Sequence, residues 1–505
     1  MKKRIVFLLV LSLLISVLAM GCAENPDTNA TTPTEQVATK LPKYVFLFIG
    51  DGMSYPQIQA TNYYLTIQAN NNKYPSVLKS QNNLCFMDFP VTGSAQTYDS
   101  SSFAPDSSST ATAIASGHKT YSGMLGKDLR ESFPTIAEKL KAQKGYKIGI
   151  VTSVNINHAT PGAFYAHQSS RSEYFKIGKD LVQSGFDYFA GGALRDATNS
   201  TADLYDMAVQ AGYKVVRTQA EAAALTPADG KAIVIAEHLV AQDMDFIDAM
   251  DYEIDRQEGE WALANYVSKG IEMLNNETGF FMMVEGGKID WACHANDAAT
   301  AVNEVIALNN AILEAVKFYN EHPDETLIIV TGDHETGGFS LGYAGTDYDT
   351  FLNNLASQKV SYATFNTEYV AKYKENNTDF DTVMADITEL FGLKVPINFN
   401  MAKAGSLDLT EYEYNLLVEA YNNTMQFGPS KNWETKEDLL YNKYEPLTVT
   451  ITHILANKCG LSFTSYVHTG LPAAVFAIGA GSELFDGYYD NTDIYFKMAQ
   501  LTGVQ

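Results

Sequence analysis

Short runs of mostly apolar residues recur along this chain at 44–49, 147–152, 186–190, 232–236, 280–284, 327–331 and 473–478. Each has the length of a strand, and the near absence of polar alternation predicts burial on both faces. Helical periodicity fills the gaps between them. Ile136 and Leu140 share one face of a helix predicted over 135–143. Val302, Val305, Ile306, Ile312 and Val316 form a stripe of 3.6-residue period along a longer helix. Strand alternating with helix predicts an α/β fold, a doubly wound and mostly parallel central sheet with helices on both faces.

That rhythm breaks at about 342–460, which is rich in Tyr, Asn and Asp and has polar loops such as Glu375-Asn376-Asn377. The stretch reads as a large insertion into a catalytic domain spanning 41–505. A lid, a crown over the site and a dimer arm all fit its composition. The beginning of the chain follows a different logic. Lys2, Lys3 and Arg4 precede an apolar stretch, 5–19, too short to span a bilayer comfortably as a mature helix. It ends in Leu18-Ala19-Met20-Gly21-Cys22, which resembles a bacterial lipobox. Residues 1–21 are therefore read as a lipoprotein signal peptide and 22–40 as a flexible tether, anchored to a membrane through a lipidated Cys22. Plain secretion is the alternative. Either way the protein is expected outside the cytoplasm, in the periplasm or at the cell surface.

Three of the strand-like runs end in residues that bind metals. Phe280-Phe281-Met282-Met283-Val284 leads into Glu285, then Asp290 and His294, whose i, i+4 spacing puts both on one helix face. The run at 44–49 leads into Gly50-Asp51-Gly52, where the glycines permit a tight turn. The run at 327–331 leads into Gly332-Asp333-His334-Glu335-Thr336-Gly337-Gly338, and His468 lies just before the last run. Asp51, Glu285, Asp290, His294, Asp333, His334 and His468 make seven candidate ligands, too many for one ion. Two or three neighbouring divalent cations are the expectation, a device suited to phosphoryl transfer. Cys293 lies among these residues but reads as a buried, inert thiol. A nucleophile is also present. Pro105-Asp106-Ser107 opens a run of small residues with helical character, which would set Ser107 at a helix N-terminus, where free N–H groups favour an anion. Taken alone, Asp106 or Ser107 would more simply be a helix cap.

Composition narrows the partners. The formal charge is −24, and loss of the signal peptide would remove three positive charges more. A surface so acidic repels nucleic acid at long range. An anionic substrate then needs a local positive field, which bound cations supply. Cysteine is too sparse for disulfides to be the main support; only Cys85, Cys293 and Cys459 follow Cys22.

At this point the motifs resemble the alkaline phosphatase family. Asp106-Ser107 through Gly117, with Lys119-Thr120-Tyr121 and Gly123-Met124-Leu125-Gly126, is similar to its nucleophile segment without a gap. His158-Ala159-Thr160-Pro161-Gly162-Ala163, then His167 and Arg171, resembles its next motif. The resemblance implies two Zn2+ ions, one on Asp290, His294 and His468 and one on Asp51, Asp333 and His334. It implies one Mg2+ ion on Asp51, Thr160 and Glu285, with His158 beside it. Ser107 would form a phosphoserine intermediate and Arg171 would grip the phosphate of a small monoester. The sequence leaves the oligomeric state open, with a homodimer as one assembly that fits. His118, His238, His322 and His453 match no ligand position and are read as ordinary surface or core histidines. At His158 and Trp291 the family's enterobacterial form holds Asp and Lys; the pair here is similar to that of some marine bacterial members. Two other readings remain: a phosphodiesterase with the same metal core, and a non-catalytic lipoprotein that binds metal or phosphate.

Overall fold

Alternation along the central strands builds two cores at once. The computed structural model describes residues 41–75, 77–240, 248–403, 405–428 and 435–505; the expected signal peptide and tether, with Cys22, lie outside the described residues. In chain order the strands are β1 (Tyr44–Gly50), β2 (Val91–Gln96), β3 (Lys147–Asn155), β4 (Tyr188–Gly192), β5 (Tyr213–Val216), β6 (Lys231–Ile235), β7 (Phe280–Gly286) and β8 (Thr326–Gly332). Four two-residue strands follow, β9 (Glu335–Thr336), β10 (Ser340–Leu341), β11 (Leu461–Ser462) and β12 (His468–Thr469), then β13 (Ala473–Gly479) and β14 (Gly487–Asp490). Tyr44, Phe46 and Phe48 of β1 enter one apolar cluster, while Val45, Leu47 and Ile49 enter the other. In β7, Phe280, Met282 and Val284 face the first and Phe281 and Met283 the second.

Ten strands form one sheet in the order β14-β2-β13-β8-β1-β7-β3-β4-β6-β5. Only β13 opposes its neighbours, β8 and β2; the other pairs are parallel. The helices Leu263–Leu274 and Ala298–Glu321 cover one face through Val267, Val305, Leu308 and Ile312. The helices Ser107–Ser116, Tyr174–Ser184 and Thr492–Thr502 cover the other through Ile114, Leu181, Ile494 and Met498. Each such side chain contributes about 1.5–3 kcal/mol by leaving water. The expected α/β architecture is thus realised as a large mixed sheet with helices around it.

All seven apolar runs become strands of this sheet, with ends shifted by up to three residues. Three strands carry no such run. β2 is Val91-Thr92-Gly93-Ser94-Ala95-Gln96, and its small residues answer to close packing: a Cβ on Gly93 would sit 2.2 Å from the Phe485 carbonyl oxygen. β5 and β14 are edge strands of four residues, where little apolar surface needs cover. The helix expected over 135–143 is α-helical only through Ile136–Lys139, then widens into a π turn over Leu140–Lys144.

The 342–460 stretch is mainly helical. β10 and β11 pair antiparallel, Leu341 with Leu461 and Ser340 with Ser462, and so draw its two ends together. Between them Phe365, Ile387, Phe391, Leu417, Leu447 and Ile451 form a third apolar cluster, which also takes in Tyr64, Ala298 and Val302. Cap residues explain where its helices start. Asp379 accepts from Thr382 N, Thr410 and Glu413 form a capping box, and Glu445 accepts from Leu447 N and Thr448 N ahead of a helix with Pro446 at its first turn.

One ion pair near the surface makes stability depend on pH. His167 Nε2 lies 3.0 Å from Glu138 Oε1, and its Nδ1 bonds the Gly126 carbonyl at 2.7 Å. Burial opposes charge on both side chains, yet these bonds win: the imidazole is raised above, and the carboxyl lowered below, its usual value. The carboxylate's share is present above about pH 4.3 and is lost as pH falls further; the imidazolium's share is complete below about pH 6.5 and is lost as pH rises. Urea unfolding from pH 4 to 9 should show His167→Ala removing about 0.5–1 kcal/mol near pH 6 and far less at pH 9.

Candidate metal centre and nucleophile

Three ligand-bearing turns meet because three parallel strands end level. Gly50 of β1 pairs with Gly286 of β7 and with Gly332 of β8. Asp51 follows β1, Glu285 is the penultimate residue of β7, and Asp333 and His334 follow β8, all at the carboxyl edge where open α/β sheets bind ligands. Gly332 is required by this crowding, since a Cβ there would lie 1.9 Å from the Met53 carbonyl oxygen. The helix Lys288–His294 then carries Asp290 and His294 back over the edge. His468 comes from a distant stretch. Its strand β12 pairs with β9, with His468 opposite Thr336, two residues after His334.

The donor atoms converge. Asp290 Oδ1 lies 3.3 Å from His294 Nε2 and 3.5 Å from His468 Nε2, and the two imidazole nitrogens are 3.1 Å apart. His334 Nε2 lies 3.2 Å from Asp51 Oδ1 and 3.5 Å from Asp333 Oδ2. Donor atoms of Asp51, His158 and Glu285 also fall within 4.8 Å of one another, as do those of Asp290, His334 and His468. Thr160 Oγ1 bonds Asp51 Oδ2 at 3.2 Å. Three histidines of this centre, His294, His468 and His334, are oriented from behind. His294 Nδ1 meets the Tyr466 carbonyl at 2.6 Å, His468 Nδ1 the Pro105 carbonyl at 2.5 Å, and His334 Nδ1 lies 3.3 Å from Thr336 Oγ1. Nε2 is thereby turned to the shared space.

The electrostatics call for cations. Asp51, Glu285, Asp290 and Asp333 are all buried in this one cluster. Burial, and then the neighbouring Asp333, Asp290 and Glu285, drives the Asp51 carboxyl far above its usual range. Burial pushes Glu285 up to about 7 against a bond from Thr152; burial and then Asp290 push Asp333 up to about 7. Asp290 goes the other way: burial opposes its charge, but His294 and His468 hold it low. Asp51 Oδ1 and Glu285 Oε1 are buried with no hydrogen-bond donor. A buried carboxylate oxygen lacking a donor is costly unless something positive meets it. Carboxylates with imidazoles, hydroxyls close by and orphaned oxygens fit divalent cations.

Ser107 opens the ten-residue helix Ser107–Ser116, whose cap is Asp106 through a bond from Ser109 N. The Ser107 hydroxyl lies 3.1 Å from His334 Nε2, so it faces the centre rather than capping its own helix. Arg171 reaches the same place from a loop. One of its nitrogens donates to Asp106 Oδ2 at 3.0 Å, and the other lies 3.3 Å from His158 Nε2. Arg171 and the other bonds to Asp106 keep that carboxyl well below the usual range although burial opposes its charge. His158 is pushed down to about 3 by burial and then by Arg171, and its ring meets Trp291 edge-on at 5.8 Å. The structure therefore brings together Asp51, Ser107, His158, Thr160, Arg171, Glu285, Asp290, His294, Asp333, His334 and His468.

Several supporting groups escaped the sequence reading. Thr152 donates to Glu285, Thr336 Oγ1 donates to Asp290 Oδ1 at 2.5 Å, and Asp106 anchors Arg171 as well as its helix. Glu335 is buried and accepts from Gln57 Nε2, Phe339 N, Gly338 N and the Thr469 hydroxyl, which ties β9 to β12 behind His334 and His468. The polar run Asp333-His334-Glu335-Thr336 was the available signal for two of these. The buried Cys293 thiol is free, and burial drives its pKa far up, as suits an inert group.

Known proteins match this chain along almost all of its described length. A profile described as "Alkaline phosphatase" matches residues 42–191 and 196–504. The chain is 28% identical to alkaline phosphatase 4 of Bacillus subtilis, over 99% of this chain and 97% of that protein. It is 27% identical to alkaline phosphatase 3 of the same bacterium, over 98% and 95%. Among solved structures it is similar to the cold-active alkaline phosphatase of a psychrophilic Shewanella, with a TM-score of 0.72 and 28% identity over 91% of this chain and 99% of that one. A family model that matches nearly all of the described residues, with relatives and a solved structure matched almost end to end, decides the identity: this chain belongs to the alkaline phosphatase family.

Proposed function

We propose that this chain is an exported phosphomonoesterase that works through a phosphoserine on Ser107 and releases inorganic phosphate. Family membership supports a metal-dependent phosphatase. The observation that carries the finer reading is the Ser107 hydroxyl, 3.1 Å from His334 at a helix N-terminus, with the Arg171 guanidinium held by Asp106 in the preceding position. Asp290, His294 and His468 would hold one Zn2+ ion, Asp51, Asp333 and His334 a second, and Asp51, Thr160 and Glu285, with His158 beside them, one Mg2+ ion. When bound, these ions supply the positive charge that eases formation of the serine alkoxide and departure of the ester oxygen.

The chain's own groups supply position. The Ser107 hydroxyl gives its proton to solvent, Ser107 Oγ forms a bond to phosphorus as the bond from phosphorus to the ester oxygen breaks, and the leaving alkoxide takes a proton from solvent. Water then attacks the phosphoserine and loses a proton to solvent, the Oγ–P bond breaks, and the freed Ser107 oxygen takes up a proton. Arg171 can grip two oxygens of a dianionic phosphate, a fork that a diester offers less well. The first turn of the Ser107–Ser116 helix adds N–H groups and its dipole to the same anion. The basic, apolar and lipobox-like order of residues 1–22 supports export and a lipid tether on Cys22, where a substrate would come from outside the cytoplasm.

The direct test compares p-nitrophenyl phosphate with bis-p-nitrophenyl phosphate: the monoester should be the much better substrate by kcat/KM, and the reverse preference would replace this reading with a phosphodiesterase. Ser107→Ala should lower kcat by at least about a thousandfold while leaving zinc content, read by plasma emission analysis, unchanged. Arg171→Ala should lower kcat/KM by roughly ten- to a hundredfold, the value of a charge-assisted bond pair, and Arg171→Lys should recover little of it. Chelation should abolish turnover, and Zn2+ with Mg2+ should restore it.

A further inference from the structure

The helices of the 342–460 stretch converge on the turn just after His294. Asn296 adopts the left-handed region at φ 52°. Its Nδ2 donates to the Cys293 carbonyl at 2.7 Å and to the Ser465 carbonyl at 2.9 Å. Its Oδ1 lies 2.7 Å from Nε2 of His453, on the inserted helix Pro446–Lys458. With Nδ2 committed to two carbonyls, Oδ1 is the acceptor and His453 Nε2–H the donor. Burial pushes the His453 imidazole down to about 4, so the ring is neutral and holds that one proton. The next residue, Asp297, caps the Ala298–Glu321 helix and also accepts from Gln358 Nε2 at 2.8 Å to each oxygen and from Tyr362 N at 3.0 Å.

A second route reaches the same histidine. The Tyr466 carbonyl fixes His294 Nδ1, and Tyr466 is itself gripped by the insertion. Its ring stacks on Tyr444 at 5.8 Å and 24°, lies 5.7 Å from the His453 ring, and its hydroxyl donates to the Leu440 carbonyl. His468 and His334 are held differently. Their Nδ1 partners, the Pro105 carbonyl and the Thr336 hydroxyl, belong to the main fold.

We propose that the inserted helices position His294: His453 acting through Asn296, and the Tyr444–Tyr466 stack acting through the Tyr466 carbonyl, set the ring and thereby the affinity of the one ion site that includes His294. This rests on the reading that Asp290, His294 and His468 hold a divalent ion. His453, Asn296 and Tyr466 are positioning residues, since none offers a side-chain donor to the ion. A clamp of this kind typically changes metal affinity ten- to a hundredfold.

The test titrates the metal-stripped full chain with Zn2+ against a chromophoric chelator, and records the cobalt absorption spectrum after Co2+ loading. Asn296→Gly keeps the left-handed backbone and removes only the side-chain bonds. It and His453→Ala should each weaken one zinc equivalent ten- to a hundredfold and shift the cobalt bands of that site, while the remaining equivalents bind as in the parent. Because the two contacts act in series, the double variant should be no weaker than Asn296→Gly alone. His453→Gln, which keeps an N–H donor, should recover part of the loss and also guards against a folding defect. Parent affinity for every equivalent in both single variants would overturn the proposal, as would a loss shared equally by all equivalents. If the parent binds zinc and hydrolyses monoesters while the variants are unchanged, only this inference falls; a parent that takes up no zinc ends both it and the metal-dependent reading.

Discussion

The structure is organised around buried negative charge. Asp51, Glu285, Asp290 and Asp333 lie in one water-poor cluster, where carboxylates raise one another's proton affinity and two oxygens have no donor. Such an arrangement is unfavourable by itself and becomes favourable when divalent cations occupy the shared space. Around this constraint the other features find their purpose: carbonyls that turn imidazole Nε2 atoms inward, hydroxyls that steady carboxylates, and a serine and an arginine aimed at the place where positive charge would gather.

The parallel register makes the cluster buildable. Equal strand ends at Gly50, Gly286 and Gly332 set three turns side by side, and glycine is needed where the chain passes closest. The one reversed strand, β13, lets the segment ahead of it return over the same edge and bring His468 to β9. Dense apolar packing on both faces of the sheet then keeps these turns rigid, and small errors in ligand position are the usual reason that a metal site fails.

The inserted helices have a core of their own and share it with Tyr64, Ala298 and Val302 of the main fold. They touch the turn at Asn296 and Asp297 and the segment at Tyr466, which places them behind a ligand. The stretch that interrupts the strand rhythm is therefore bonded to the site through several hydrogen bonds, and its polar outer surface had concealed helices whose caps, at Asp379, Thr410 and Glu445, follow ordinary rules.

The sequence by itself determined the seven buried strands, the α/β layering and the residue types at the strand ends, because burial on both faces and tight ligand turns leave local marks that need no partner to be read. Ser107 was legible as the opening of a helix of small residues, and Arg171 only through the resemblance of its motif to a known family. Only the tertiary structure decided how Ser107 Oγ faces His334, which carbonyls orient His294 and His468, and that Asp106 holds Arg171. It also decided the pairing of His453 with Asn296, across 157 positions of chain. Those contacts join residues far apart in sequence and often use backbone atoms, which every residue possesses, so no side-chain pattern announces them. The strands β2, β5 and β14 were hidden for a related reason: small residues under close packing, or a place at the sheet edge, remove the apolar excess that marks a buried strand.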